Sequence, residues 1–174
     1  MGEPAFLTRL HIQVARIFFS LKASEGYLVA GGAALLASDL IARPTEDIDL
    51  FASSPTSSVL EAKASFLEAL HFRGYDVTVI QDSPTFCRMV VRHEEAELLV
   101  DLAIDSPPTS TPTMTRLVPT LSPLELVGRK LLALFGRAEA RDFADVYQLA
   151  QRFGKDAMVE QAHLLDAGFD RMVL

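Results

Sequence analysis

The stretch that decides the fold runs from residue 29 to residue 51, VAGGAALLASDLIARPTEDIDLF. Two glycines follow a short apolar run, and a helical segment leads away from them. Asp47 and Asp49 then bracket a single isoleucine inside what otherwise reads as a buried strand. Alternate side chains of a strand share a face, so both carboxylates point one way while Ile48 and Leu50 point into a core. Two carboxylates this close repel one another and share a proton unless a cation lies between them. Burying them is costly without such a partner, so the compensating charge is the first thing to look for.

A divalent metal resolves the conflict. Mg2+ typically binds through one or two carboxylates together with substrate phosphates, and Mn2+ is the alternative ion. Asp101 interrupts the apolar run ELLVDLAI in the same manner, so a third carboxylate is expected on a neighbouring strand. Asp47, Asp49 and Asp101 together suit two metals, one activating a hydroxyl and one bridging triphosphate oxygens. Gly31 and Gly32, between a strand and a helix, let backbone approach a phosphate closely with helix N–H groups aimed at it. Other phosphate motifs fail on residues: GGAALL lacks the Gly-Lys-Ser/Thr of a P-loop, and no G-x-G-x-x-G is present. DIDLFAS lacks the third ligand and the glycine of an EF-hand. The plain alternative is a solvated strand edge with incidental acids.

Composition narrows the class. The 174 residues, 49% of them hydrophobic, suffice for one domain, or one domain with a small helical appendage. The only cysteine, Cys87, precludes an internal disulfide and fits a reducing compartment. Arg9, His11, Gln13 and Arg16 interrupt the apolar residues of the N-terminal stretch, which is unlike a signal peptide. No run reaches the roughly 18 apolar residues of a membrane span, so a cytoplasmic protein without membrane association is expected. The net charge of −7 argues against a sequence-blind nucleic-acid binder. That charge is uneven: residues 1–115 carry 8 Lys and Arg against 15 Asp and Glu, and residues 116–174 carry 8 of each. Arg116, Arg129, Lys130, Arg137, Arg141, Arg152 and Lys155 crowd the window after residue 115. Either these are solvated helix faces, or an acidic front half meets a basic rear half across a cleft.

Periodicity predicts helices over 3–22 (Phe6, Leu10, Val14, Ile17, Phe18 and Leu21 on one stripe), 33–41, 58–73, about 122–136, 139–154 and 156–165. Arg43-Pro44 closes the second, since the residue before proline avoids helical geometry. Ser122 and Pro123 open the fourth, with Gly136 expected at its end. Strands are predicted over 27–30, 47–51, 76–80, 86–93 and 96–104, with HEEA as a hairpin turn. Segment 53–58 reads as a capping turn, and the proline-rich segment 105–113 as a loop. The expected fold class is α+β: a small mixed β-sheet core with an N-terminal helix over 1–115, then a C-terminal helical bundle over 116–174 closing the active cleft.

GGAALL…ARPTEDIDLF resembles the signature of the DNA polymerase β-like nucleotidyltransferase superfamily, a Gly-Gly or Gly-Ser turn followed by Asp-x-Asp on the next strand. The string Arg-x-Thr-x-Asp-x-Asp, a helical "RK" segment and RDFADVYQL are similar to the AbiEii-like (MenT-type) toxins of type IV toxin–antitoxin systems. The resemblance covers most of residues 25–150. It implies that Asp47 and Asp49 hold metal, that Gly31 and Gly32 form the phosphate turn, and that Lys130 holds the nucleoside triphosphate. Asp145 matches the second-domain aspartate, and Asp101 sits where a third carboxylate would be. Transfer of a nucleoside monophosphate (NMP) from an NTP to a tRNA 3′ end is then implied, with growth inhibition as the outcome and a cognate antitoxin as partner.

The residues support part of this independently. Lys130 and Asp145 lie on consecutive helices with a short connection, so the helices are expected to be antiparallel neighbours with Asp145 orienting Lys130 for triphosphate. The alternative is an interhelical salt bridge without substrate. Loss of Lys130 is expected to weaken NTP binding with little effect on stability. Arg137 and Arg141 are expected to meet phosphates. Thr45, two positions before Asp47, falls on the metal side; a phosphate or nucleotide attached there, by a partner kinase or by the protein itself, would add negative charge beside the carboxylates. The remaining functional alternatives are a small-molecule nucleotidyltransferase acting on an antibiotic, and a catalytically inactive scaffold with an acidic binding face.

Overall fold

The computed structural model describes residues 7–53 and 57–169. It has α1 (Arg9–Phe19), β1 (Tyr27–Ala30), α2 (Gly31–Ala37), β2 (Asp47–Ser53), α3 (Val59–Phe72), β3 (Asp76–Asp82), β4 (Phe86–His93), β5 (Ala96–Asp105), β6 (Thr113–Thr115), β7 (Val118–Thr120), α4 (Pro123–Arg137), α5 (Ala140–Phe153) and α6 (Lys155–Leu165). The strands form one mixed sheet in the order β3-β4-β5-β2-β1-β7-β6. β2 runs parallel to β5, and β1 parallel to β7. β1–β2, β3–β4, β4–β5 and β6–β7 are antiparallel. The α+β class expected from the sequence is the class observed.

Alternation along each strand sorts its residues between two faces. Ile48, Leu50, Val100, Leu102, Cys87, Met89 and Val91 are all inaccessible to solvent on one of them. α1 and α3 cover that face, and Phe18 meets Tyr27 and Phe66 edge to face at 5.1 and 5.0 Å, an arrangement aromatic quadrupoles favour. At the sheet's other end, α2 packs on α4, and α4 on α5 and α6. α4 and α6 approach so closely that a Cβ on Gly128 would lie 3.0 Å from the Gln161 carbonyl.

Local chemistry explains where boundaries depart from expectation. α1 begins at Arg9 because Thr8 caps it, its hydroxyl accepting from the His11 N–H while the His11 ring takes the Thr8 N–H. The expected start at residue 3, with Phe6, lies outside the described residues, as does half of the 53–58 turn, residues 54–56. α2 stops at Ala37 rather than 41 because Asp39 adopts φ of 55° and its N–H returns to the Leu36 carbonyl, a left-handed cap that aspartate tolerates. α4 runs through Gly136 and is ended by Ala138, left-handed at φ 50°. The sheet also continues past residue 115. The strands β6 and β7 are three residues each, too short to show a period, and β7 pairs with β1 through Val29 and Thr120. The loop before them is tied down: Glu125 accepts from the Thr109 N–H and hydroxyl, at 2.9 and 2.7 Å.

Candidate active site

β2 presents Asp47 and Asp49 on the face away from α1 and α3, with Ile48 and Leu50 sealed in the core. The register β4–β5–β2–β1 places Arg88, Asp101, Asp49 and Ala30 side by side across four strands. The chain leaves β1 through Gly31, whose φ is 64°. A Cβ there would collide with the Asp49 carboxyl, 2.8 Å from its Cγ. Glycine is therefore needed twice over, for its backbone and for the space its missing side chain leaves to the carboxylate. Gly32 faces Thr45, and a Cβ on it would lie 3.1 Å from the Thr45 hydroxyl.

The three carboxylates are differently engaged. Asp47 accepts the Thr45 hydroxyl on Oδ1 and the Arg141 Nη1 at 3.1 Å on Oδ2. Asp101 is buried, and both its oxygens accept from Arg88, from Nε at 2.8 Å and Nη2 at 2.7 Å. Asp49 has no such fork. Burial, then the charges of Asp47 and Asp101, push its pKa up to about 7, with Lys130 and Arg141 offsetting only part of the rise. A carboxyl held near neutrality beside another carboxylate marks a place short of positive charge. Among the described residues no group of three or more His, Cys, Asp or Glu is disposed to enclose a metal. Asp47 and Asp49, which alternation puts on one face of β2, are the two carboxylates that could hold a hard divalent cation whose remaining positions substrate oxygens would fill.

α4 and α5 bring cations to the same place. Lys130 is only 6% exposed, and its ammonium lies 3.2 Å from Asp142 Oδ1 and 3.0 Å from Asp145 Oδ2. Both carboxylates are completely buried. Asp145 also takes a two-pronged contact from Arg43, with Nε and Nη2 each at 2.6 Å. Asp142 takes another from Arg137, at 2.8 and 3.0 Å. Burial acts to raise the Asp142 pKa, but the hydrogen bonds and charges of Arg137 and Lys130 outweigh it and hold the value at about 2. The expectation that Lys130 is dispensable to stability does not survive this burial.

Two cavities meet at these residues. One of about 70 Å3 is lined by Gly31, Gly32, Asp47, Asp49 and Asp101, and by Arg43, Arg88, Lys130, Arg137 and Arg141. The other, about 470 Å3, shares Gly31, Asp49, Lys130 and Arg137, then continues between Leu35, Phe51, Leu126, Ala133 and Leu165, with Asp105, Ser106, Arg129 and Asp166 as polar groups. A small, charged cleft thus opens into a larger chamber with apolar walls and a few polar groups, the usual make-up of a small-molecule site.

Every sequence-predicted site residue lies in or against this arrangement: Gly31, Gly32, Thr45, Asp47, Asp49, Asp101, Lys130, Arg137, Arg141 and Asp145. The sequence reading missed Arg43, Asp142 and Arg88. In the sequence Arg43 reads only as the residue before Pro44 that ends a helix. Asp142 and Asp145 stand three apart, one helical face, which was the available signal.

No functionally curated protein matches the chain. Among solved structures, JHP933 from Helicobacter pylori is similar at 20% identity and a TM-score of 0.64, covering 92% of this chain and 74% of that one. A second H. pylori protein, provisionally assigned as a nucleotidyltransferase, shares 20% identity and a TM-score of 0.57 over 99% of this chain and 87% of its own. The Megavirus polyadenylate synthase is similar at 15% identity and a TM-score of 0.56, over 88% of this chain and 33% of that larger protein. At these identities the likeness is one of fold. The family model for the nucleotidyl transferase AbiEii toxin of type IV toxin–antitoxin systems matches residues 16–172. With nearly the whole chain matched, and with the paired strand carboxylates and the buried lysine in one cleft, the protein belongs to the AbiEii nucleotidyltransferase toxin family.

Proposed function

We propose that the protein transfers an NMP from an NTP to the 3′-terminal hydroxyl of a tRNA and thereby inhibits growth, with Mg2+ as cofactor and Mn2+ as a substitute. The observation that carries this reading is the seam between the two cavities, where Asp47, Asp49 and Lys130 converge. Base and ribose occupy the 470 Å3 chamber, and the phosphates run over Gly31 into the charged cleft. Lys130, fixed by two buried carboxylates, meets the triphosphate without having to be ordered, as do Arg137 and Arg141 at the rim. Asp47 and Asp49 would hold the metal, which would supply charge neutralisation at the phosphates and a lowered pKa for the acceptor hydroxyl. The acceptor oxygen bonds to the α-phosphorus as the bond from that phosphorus to the β-bridging oxygen breaks; pyrophosphate departs and the hydroxyl proton passes to water. Positioning and charge neutralisation do most of the work, as in phosphoryl transfer generally.

The family implies a cognate antitoxin, and a kinase acting on Thr45 is one form such a partner takes in this reading. The Thr45 hydroxyl is bonded to Asp47 and only 7% exposed, so modification requires the loop before β2 to open. Use of NTP and tRNA places the reaction in the cytoplasm; among the described residues no helix is long and apolar enough to cross a membrane. The reading is tested by incubating the protein with labelled NTPs, divalent cation, and total tRNA, total protein or a panel of aminoglycosides and lincosamides. Label is expected in tRNA. Label in an antibiotic would replace the acceptor class, and label nowhere would leave a binding scaffold.

A further inference from the structure

In the pose proposed above, the NTP enters the charged cleft from the chamber, leaving the far side of Asp49 free. The chamber lies on the β1 and α4 side of Asp49. On the opposite side the same sheet face continues across β5 to β4, while α1 and α3 pack on the reverse face. An in-line displacement brings the acceptor from the side opposite the leaving pyrophosphate, so this second side is where an acceptor must lie.

What the sheet offers there is a built feature. Arg88 stands two strands from Asp49 in register, about 10 Å away at ordinary strand spacing. Asp101 holds two of its nitrogens, and the guanidinium lies over the Phe86 ring, 5.5 Å from its centroid. Nη1 makes no hydrogen bond among the described residues, and the side chain is 40% exposed. A planar cation fixed on an aromatic ring, with one edge open, is suited to stack a nucleobase and to hold a phosphate. Such a fork loses little freedom on binding. Asp101 is then a positioning residue for Arg88, each of its oxygens accepting one guanidinium N–H.

Resting on the nucleotidyltransferase reading, we propose that Arg88, held over Phe86 by Asp101, binds the terminal nucleotide of a single-stranded RNA 3′ end as the acceptor subsite. Arg88→Lys keeps the charge and loses the fork and plane; Phe86→Leu keeps apolar bulk and loses the ring. Both are expected to raise the KM for tRNA on the order of tenfold, the size of one lost stacking contact, with the effect in KM rather than kcat; in Phe86→Leu, whose ring lines neither cavity, NTP affinity by calorimetry should stay close to parental. Fluorescence anisotropy with a labelled single-stranded RNA ending in a 3′ hydroxyl reads the subsite without catalysis, and the same loss is expected there. A fall in kcat at unchanged KM would overturn the proposal, because Arg88 would then serve the metal site through Asp101. RNA affinity unaltered in both variants would overturn it too. If the parent protein binds no NTP and labels no acceptor, the nucleotidyltransferase reading fails, and the anisotropy result alone decides for or against an RNA site.

Discussion

Replacing Lys130 by Met separates two jobs that one ammonium performs. The side chain is 6% exposed and bridges Asp142 and Asp145, both without solvent access. Removing one partner of a buried ion pair costs about 3–5 kcal/mol when the remaining charge is left unpaired. Here each carboxylate keeps an arginine, Asp142 through Arg137 and Asp145 through Arg43, so the expected loss is smaller, about 2–3 kcal/mol. With a urea slope of about 2 kcal/mol/M the unfolding midpoint falls by about 1–1.5 M at pH 7. The pH dependence supplies a second check. Asp142 is held at about 2, below the ordinary 3.8, so its ionised form stabilises the fold above about pH 4, and this contribution is lost as pH falls toward 2. Lys130 is part of what depresses that pKa, so the gap between parent and variant should narrow as pH falls from 4 toward 2. NTP affinity, by calorimetry on the folded variant, should fall as well. An unchanged midpoint at pH 7, or a deficit that persists undiminished in acid, would refute the cluster energetics; undiminished NTP affinity would refute the triphosphate role.

Asp47→Ala and Asp49→Ala should each abolish transfer without unfolding the protein, since each relieves mutual repulsion; near-normal activity in either would misplace the site. Gly31→Ala forces a side chain onto φ of 64° and into the Asp49 carboxyl, and should cost about 1–2 kcal/mol by thermal denaturation and lose transfer as well; an active, equally stable variant would contradict the packing. Arg141→Gln frees the Asp47 oxygen it now holds, so Mn2+ should bind the nucleotide-free protein roughly 2–5-fold more tightly, a size suited to a partly exposed pair; unchanged affinity in a paramagnetic resonance titration would mean that Arg141 does not compete. Thr45→Glu should be inactive and Thr45→Ala should retain partial transfer; intact-mass spectrometry after incubation with ATP and antitoxin should place any adduct on Thr45, and an adduct elsewhere, or none, ends that switch.

The sequence shows the sheet where chemistry and period coincide. Asp47 and Asp49 stand out because their neighbours Ile48 and Leu50 are apolar and alternate with them. The contact of Lys130 with Asp145 follows from two helices with a short connection. What stays hidden is contact between distant segments that local pattern does not encode. Arg43 reads as a residue before proline, yet it forms a two-pronged bridge to Asp145, 102 positions away. Arg88 reads as one polar position in an alternating strand, and only the register of β4 on β5 sets it against Asp101. Asp101 reads as a third ligand by analogy with the other two; its engagement by Arg88 depends on the strand beside it. β6 and β7, three residues each with Pro119 in the second, offer no period to read.

The bridges from Arg43 to Asp145 and from Arg141 to Asp47 span 102 and 94 positions. They also set when, during synthesis, the cleft first exists. The glycine turn and strand carboxylates leave the ribosome early, but Lys130, Asp142 and Asp145 emerge only after about three-quarters of the 174 residues. Non-local pairing of this kind is among the slower steps of folding, and domains form as units once their chain is available. A nascent copy therefore carries the aspartates without their cationic counterpart.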